Sequence, residues 1–151
     1  MSNQWQSTAA GRHLAGRRKT NTAPEVALRR AVHALGGRFR LHRQLAKGCT
    51  PDFVLPRRHV AVFVDGCLWH QCPVHGRTTW SGPNAALWQE KMRRNRLRDD
   101  RANQIALRLG WTVVRVWECE VRVAPDVCAS RVLAAAGSST IASGSPAGGL
   151  A

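Results

Sequence analysis

Acidic residues are scarce in this sequence of 151 residues, which has nine Asp and Glu against 23 Lys and Arg. The formal net charge is therefore +14, and arginine, whose planar guanidinium suits phosphate oxygens, supplies most of it. Such an excess repels itself in a folded chain and is typical of a protein that binds a polyanion. A compositional bias towards Arg and Ala would not explain the shortage of acids. Basic segments are spread along the chain without a strongly amphipathic Lys-rich helix, which favours nucleic acid over a membrane surface.

Long apolar runs and an export signal are also missing. No run is long enough to cross a bilayer, and the first residues lack the charged-then-apolar order of a signal segment. These absences predict a cytoplasmic protein with no membrane segment, and the lack of an interface stripe predicts a monomer. Five cysteines in such a compartment do not predict disulfides, and Cys49 and Cys128 are interpreted as free thiols.

Composition divides the chain into three segments. Residues 1–21 are polar and basic with little periodicity and are predicted to form an arm that orders on DNA. Residues 22–137 contain helix and strand signals and are predicted to form one domain with a modest core. Residues 138–151 are rich in Ser, Gly and Ala, which predicts a disordered tail.

An α/β pattern fills residues 22–137. A helix is predicted to begin at Thr22, whose hydroxyl can cap it while the Glu25 side chain returns a hydrogen bond, and to end at Gly36. The later elements are strands over 39–44, 52–55 and 60–64 (the last two a hairpin), a helix from Asn84 to about Leu109, a buried strand over 111–117, and a helix from Pro125 to about Ala136. This order predicts a central mixed sheet flanked by helices.

One loop has the chemistry of a zinc site. Cys67, Cys72 and His75 follow the spacing Cys-x4-Cys-x2-His, and Cys119 lies just past the predicted strand 111–117. Thiolates and neutral imidazole are zinc ligands, and a closed tetrahedral site needs four of them. The pattern therefore favours a structural zinc loop over a set of free thiols. Spacing alone leaves open whether His75 or His70 is the imidazole ligand.

Three carboxylates are candidates for a catalytic cluster. If the hairpin forms, Asp52 and Asp65 converge near one edge of the sheet, where oxygen ligands could hold Mg²⁺ and a scissile phosphate. Glu25 could support such a site through water. The pattern leaves a structural alternative open for each residue, since Asp52 and Asp65 also suit turns and Glu25 also suits a capping box.

His70 and three large apolar side chains lie close to these groups in the sequence or on the following helix. A histidine beside a phosphate can act as a general acid or base near neutral pH. Leu68, Trp69 and Trp88 suit wedging between base pairs or stacking on a base. The alternative for them is core packing against the long helix, above all for Trp88.

The predicted long helix is strongly basic. Lys91 and Asn95 are four residues apart and share one side of it. The helix is predicted to bind phosphates, or alternatively to be a solvated helix whose charges pair with one another. Its polar residues between positions 91 and 101 are Lys91, Arg93, Arg94, Asn95, Arg96, Arg98, Asp99, Asp100 and Arg101.

Six motifs, taken together and in order, resemble those of the very short patch repair (Vsr-type) DNA mismatch endonucleases. The resemblance covers about residues 12 to 135, and the combination is highly specific. The motifs are TAPE at 22–25, PDFV at 51–54, FVDGCLWH at 63–70, WQEK at 88–91, Asn95 with Arg98-Asp99, and Gly110-Trp111 with VWEC at 116–119.

The resemblance implies a fold related to type II restriction endonucleases. It implies nicking of double-stranded DNA on the 5′ side of the thymine in a T·G mismatch, which arises when 5-methylcytosine deaminates. In such a site Asp52 and the backbone carbonyl of Val64 would bind Mg²⁺, His70 would act on the water or the phosphate, and Glu25 would support the site through water.

The same resemblance implies which residues bind DNA. Leu68, Trp69 and Trp88 would wedge into the duplex at the mismatch, and Lys91 and Asn95 would read bases around it. Mismatch-repair proteins are implied as neighbours. The structural zinc would be held by Cys67, Cys72, His75 and Cys119.

Three positions depart from the family pattern. Asp65 stands where some members have histidine, so a second catalytic histidine is missing and Asp65 is a candidate metal ligand instead. Leu68 stands where phenylalanine is usual, which keeps a wedge but loses stacking. The order of Cys72 and His75 differs from that in some members, so their assignment to zinc rests on spacing as well as on resemblance.

Overall fold

A computed structural model describes residues 4–9, 20–135 and 141–143, the last by their backbone alone. Within these ranges no helix is both long and apolar enough to span a bilayer. In chain order the elements are α1 (Ala23–Ala34), β1 (Arg40–Leu41), β2 (Phe53–Leu55), β3 (Val60–Asp65), α2 (Ala85–Arg108), β4 (Thr112–Trp117), α3 (Glu118–Val123), α4 (Pro125–Ala134) and β5 (Ile141–Ser143).

The strands form one mixed sheet in the order β1-β2-β3-β4-β5. Antiparallel pairing joins β1 to β2 and β2 to β3, whereas β3 and β4 are parallel, as are β4 and β5. Parallel neighbours need a crossover, and α2 provides it between β3 and β4. The predicted hairpin and the predicted mixed sheet flanked by helices are confirmed. The relation to restriction endonucleases stays a prediction.

The central strands β2, β3 and β4 are buried on both faces, which explains why they are almost continuously apolar. Alternate residues of a strand point to opposite faces, so Val62 packs with α1, α3 and α4, while Ala61 and Phe63 pack with α2. Cys128 belongs to the first core and Cys49 to the second, and both are free thiols, as predicted.

The first helix begins and ends close to the predicted residues, with one difference at its cap. The Thr22 hydroxyl accepts from the Glu25 N–H at 3.4 Å, but the Glu25 carboxylate accepts from the Asn21 N–H at 2.9 Å, so the reciprocal bond goes to the residue before the cap. Gly36 has a φ of +89°, and the Gly37 N–H donates to the Val32 carbonyl at 2.9 Å, which ends the helix.

Two sequence predictions about elements were wrong in detail, and one helix was not predicted. The strand over 39–44 is only Arg40–Leu41, because His42 has a φ of +47° and leaves the extended conformation. The short helix α3 was missed. Asn84 precedes α2 but makes no capping bond, because its side-chain amide bonds to the backbone of Gln6 instead.

The two terminal predictions remain untested. Of the predicted arm, residues 1–3 and 10–19 lie outside the described residues, and residues 4–9 are described. Of the predicted tail, only Ile141–Ser143 is described, as the strand β5 beside β4. The prediction of disorder therefore stays a prediction for the other residues of 138–151.

The core location of Val114 gives a direct test of this packing. Val114 is 0% exposed, so Val114→Ala is expected to lower the free energy of unfolding by about 2 kcal/mol through a lost apolar contact and a cavity. Val123→Ala is the matched control, because Val123 is 85% exposed and alanine is the better helix former. Urea denaturation measures both. Equal losses in the two variants would contradict the packing described.

Candidate functional site

The carboxylate of Asp52 lies directly against the backbone of β3. Its Oδ2 accepts from the Val64 N–H at 2.6 Å, and its own N–H donates to the Val62 carbonyl at 3.0 Å. Since residues two apart present their backbone groups on the same edge of a strand, the Val64 carbonyl also lies on the edge that faces Asp52. Asp52 lies in a bend just before β2, so the turn interpretation stays open, and its side chain also bonds to the neighbouring strand.

Burial raises the pKa of Asp52 to about 7, and the negative charges of Glu25 and Asp65 act in the same direction. The hydrogen bond from Val64 opposes this shift without cancelling it. A carboxyl group in such surroundings is stabilised as an anion by a nearby cation. One carboxylate and one carbonyl are a donor set that suits Mg²⁺, which completes its shell with waters and phosphate oxygens.

Glu25 is 4% exposed and is near enough for its charge to affect Asp52. Its carboxylate accepts a hydrogen bond from Asn21 at the start of α1, and this structural role is compatible with support of the Asp52 site through water. Asp65 is also buried, at 6% exposure, but it is the last residue of β3 and not part of a turn. The turn interpretation of Asp65 is therefore wrong.

His70 is joined to a carboxylate that the sequence interpretation did not assign to it. Its Nδ1 lies 2.5 Å from Asp99 Oδ2 and 3.8 Å from Asp65 Oδ1. Burial lowers the pKa of His70, but the Asp99 hydrogen bond and the two negative charges outweigh it and raise the pKa overall. Because Asp99 engages Nδ1, Nε2 is the nitrogen left for a substrate or water.

Asp99 and Asp65 are tied together by Arg115 on β4. The Arg115 Nη1 lies 2.7 Å from Asp65 Oδ1, and its Nη2 donates to the Asp99 carbonyl oxygen at 3.3 Å. Its Nε donates to Asn103 Oδ1 at 2.7 Å, and the guanidinium lies 4.2 Å from the Phe63 ring centroid. These contacts satisfy a cation whose side chain is only 12% exposed.

Two signals in the sequence could have identified Asp99 and Arg115. Arg115 is the one charged residue in the apolar strand Thr112–Trp117, and a buried charge requires partners. Asp99 is four residues after Asn95 and four before Asn103, on the helix face that turns towards the sheet. The alternative in which residues 98–101 pair with one another is wrong for Asp99, which pairs with His70.

A cavity of about 210 Å³ opens beside this network. Asp65, His70, Asp99 and Arg115 contribute to its walls, whereas Asp52 does not. The candidate catalytic groups therefore lie in two places: Asp52 lies beside β3, and His70 lines a polar cavity on the α2 side of the sheet.

The predicted metal loop folds as a four-residue cluster. The ligand atoms of Cys67, Cys72, His75 and Cys119 all lie within 4.8 Å of one another. The Cys72 Sγ is 3.8 Å from the Cys119 Sγ and 3.9 Å from the His75 Nδ1. Two ligands about 2.3 Å from one ion at a tetrahedral angle lie about 3.8 Å apart, so the donor set fits zinc.

Backbone turns and α3 bring these ligands together. The Cys72 N–H donates to the Cys67 carbonyl at 2.9 Å, and Cys119 lies in the first turn of α3. Burial and the Cys119 thiol raise the pKa of Cys67 to about 12, whereas hydrogen bonds from His75 and Val74 overcome burial and lower that of Cys72 to about 7. His70 is not in the cluster, so the alternative with His70 as the imidazole ligand is wrong.

An aromatic cluster lies between this loop and α2. Trp88 stacks on Trp80 with centroids 4.8 Å apart and rings 7° from parallel, and it meets Trp69 at 5.8 Å and Trp5 at 5.2 Å. Trp69 and Trp88 are half-buried and belong to neither apolar core. Trp88 therefore packs on other tryptophans outside the two apolar cores, and its role as a wedge stays a prediction. Leu68 is also half-buried on the loop.

Lys91 and Asn95 both face the loop that carries Trp69. The Lys91 Nζ lies 4.8 Å from the Trp69 centroid and 5.6 Å from the Trp88 centroid, and Asn95 Nδ2 donates to the Trp69 carbonyl at 3.0 Å. Their shared side of the helix is thus as predicted, and their contact with bases stays a prediction.

The other basic residues of α2 divide into two kinds. Arg93 and Arg94 contact Glu90 at 2.7 Å and 2.9 Å, which lowers the pKa of Glu90 to about 2, and Arg96 hydrogen-bonds to Gln71. Arg98 and Arg101 are exposed and form no ion pair with a described carboxylate.

Comparison with known proteins adds an independent finding. The family model described as "DNA mismatch endonuclease Vsr" matches residues 7–75. The chain is 45% identical to the type II nicking enzyme V.NaeI of Lentzea aerocolonigenes over 72% of this chain and 67% of the relative. It is 43% identical to the type II nicking enzyme V.XorIIP of Xanthomonas oryzae pv. oryzae over 69% and 75%. It is 34% identical to the DNA mismatch endonuclease Vsr of Escherichia coli over 68% and 64%.

Removal of one cluster ligand tests the metal centre. Cys119→Ser is expected to lose most of the bound metal and to lower the Tm by several degrees, because metal binding contributes to folding. Cys49→Ser is the control: Cys49 is more deeply buried than Cys119 but lies outside the cluster, and a serine hydroxyl can replace its 3.3 Å bond to Ala102. Metal content by elemental analysis and Tm by calorimetry are the measurements. A Cys119→Ser protein with full metal content would exclude the cluster as the binding site.

Proposed function

The chain belongs to the Vsr family of DNA mismatch endonucleases, and from that premise we propose that it nicks double-stranded DNA on the 5′ side of the thymine in a T·G mismatch. The reaction is magnesium-dependent hydrolysis of one phosphodiester bond, the first step in repairing a deaminated 5-methylcytosine. The observation that best supports this activity is the hydrogen bond between the Asp52 carboxylate and Val64 on β3, the strand whose last residue, Asp65, lies 3.8 Å from His70.

The proposed magnesium site uses Asp52 and the Val64 carbonyl, with Glu25 connected through water. When bound there, the ion would polarise the scissile phosphate and stabilise the negative charge of the in-line transition state. The raised pKa of Asp52 supports this assignment, because burial and the neighbouring negative charges disfavour an uncompensated anion there, and a bound cation would compensate it.

We assign the proton transfer to His70. Its Nδ1 is engaged by Asp99, so Nε2 takes a proton from the attacking water or orders the phosphate. Asp99 and Arg115 act as positioning residues, because Asp99 contacts His70 and Arg115 contacts Asp65. Asp65, bonded to Arg115, helps to hold this arrangement, and its use as a second metal ligand remains part of the proposal.

Mismatch recognition is assigned to the loop and to the first turns of α2. Leu68, Trp69 and Trp88 would enter the duplex at the mismatch, where unstacking costs less than in paired DNA. Lys91 and Asn95 would read the surrounding bases. The hydrogen bond from Asn95 to the Trp69 carbonyl links α2 to the loop, which supports the proposal that both contact the mismatch together.

The cysteine and histidine cluster is assigned to structural zinc. Its ligands Cys67 and Cys72 flank the residues 68–71, and Cys119 connects that loop to α3 at the end of β4. Such a link restricts the loop that carries both the wedge residues and His70. We further propose a cytoplasmic monomer that acts with mismatch-repair proteins on chromosomal DNA, to which its charge of +14 is suited.

A panel of labelled duplexes tests the activity. T·G, U·G and fully paired duplexes of one sequence are incubated with the protein and Mg²⁺, and the nick is mapped on a sequencing gel. We expect a nick 5′ of the mismatched thymine and at least about a hundredfold slower cleavage of the paired duplex. Binding without any cleavage would identify a DNA-binding module, and cleavage of another substrate alone would identify a different nickase.

Loss of one carboxylate charge tests the metal site. Asp52→Asn is expected to slow T·G nicking by at least about a hundredfold while leaving DNA affinity within about threefold, because the ligand acts on the reaction and not on DNA binding. Asp126→Asn, an exposed residue in the first turn of α4, is the control and should match the parent protein. Single-turnover nicking and fluorescence anisotropy are the measurements. Full activity of Asp52→Asn would remove Asp52 from the site.

A further inference from the structure

Residues 4–9, the N-terminal strap, are joined to the beginning of α2 by a specific pair of hydrogen bonds. The Gln6 N–H donates to Asn84 Oδ1 and the Asn84 Nδ2 donates to the Gln6 carbonyl, both at 2.9 Å. Asn84 is 5% exposed, so its amide is committed to this pairing. The strap is therefore held at a defined position next to the aromatic cluster.

This pairing places Trp5 against the groups assigned to DNA. The Trp5 ring meets Trp88 at a centroid distance of 5.2 Å and an angle of 87°, and Lys91 Nζ lies 5.7 Å from the Trp5 centroid. Trp5 is 50% exposed, whereas indole rings that serve packing alone are usually far more buried. Half of a large apolar surface is thus presented to solvent beside a cation.

The cluster as a whole has the chemistry of a nucleic-acid surface. Lys91 Nζ lies within 6 Å of the ring centroids of Trp5, Trp69 and Trp88, at 5.7, 4.8 and 5.6 Å. Indole faces stack on bases whatever their sequence, and an ammonium group contacts phosphates or base edges. No described carboxylate forms an ion pair with Lys91, so its charge is available to an anion.

We propose that Trp5 is a further DNA-contacting residue, which extends the aromatic wedge and is held there by Asn84. This inference rests on the proposed function, because it adds a contact to the same mismatch site. Trp5 meets Trp88 perpendicularly and keeps half of its own surface open, so a base or sugar can contact its indole.

Truncation of the indole tests the contact. Trp5→Ala is expected to weaken the binding of T·G duplex about tenfold, the effect of losing one aromatic stack. Trp5→Phe should recover most of this loss, since it keeps an aromatic face. Gln4→Ala, an exposed neighbour in the strap, is the control and should bind as the parent protein does. Fluorescence anisotropy gives the affinity of each variant for the T·G duplex.

A double-variant cycle tests the part played by Asn84. Asn84→Ala removes both bonds to Gln6 and should weaken binding, while adding it to Trp5→Ala should produce no further loss, because both act through the same indole. Calorimetric Tm values identify any variant that fails to fold. If Asn84→Ala fails to fold, Trp5→Ala alone tests the DNA contact, because Trp5 is outside both cores.

Two results would overturn the inference. Unchanged affinity in Trp5→Ala would show that the indole makes no contact, and tighter binding would make the strap a cover over the wedge. Failure of the proposed function gives a different result: the parent protein then lacks any preference for T·G over paired duplex. In that case the affinities of the same Trp5 variants are measured with the duplex that the parent protein binds best, and they test whether Trp5 contacts DNA.

Discussion

The register of β3 against its two neighbours decides which groups meet at the candidate site. Its antiparallel pairing with β2 puts the Asp52 carboxylate on the Val64 N–H, and its parallel pairing with β4 sets Asp65 level with Trp117 and beside Arg115. A shift of one residue in either pairing would exchange the side chains of β3 between the two cores, which Val62 fills on one face and Ala61 and Phe63 fill on the other. The same burial that fixes the fold therefore fixes the position of the carboxylates.

The loop after β3 is restrained from several sides. The Cys72 and Cys119 sulfurs bring it to α3, the Asn95 amide holds the Trp69 carbonyl, and Asp99 engages His70. Each contact joins a short polar segment to a helix that is itself packed on the sheet. A loop with few apolar residues of its own thereby gains a defined position, which a wedge and a proton-transfer group both need.

Local patterns predicted the secondary structure well where the pattern allowed only one interpretation. The apolar runs of 60–64 and 111–117 became β3 and β4, and Gly36 and Gly110, both with φ above +80°, follow the ends of their helices. The patterns failed where a side chain had a distant alternative. Asn84 suited a helix cap but bonds to Gln6, and Asp99 suited a partner on its own helix but bonds to His70. The donors and acceptors of a side chain determine which kinds of partner it requires, but they do not determine which of several such partners lies within reach in the fold.

The sequence by itself determined the kind of molecule. Its charge of +14, its thiol and imidazole spacing, and its ordered motifs indicated a DNA-acting member of the Vsr family with a metal loop, because these properties depend on residue type and on separation along the chain. Only the tertiary structure decided that Arg115 joins Asp65 to Asp99, that His75 and not His70 completes the metal cluster, and that Trp5 reaches Trp88. These contacts join residues up to 83 positions apart, and their distances follow from how strands and helices pack around the two cores, which no local pattern encodes.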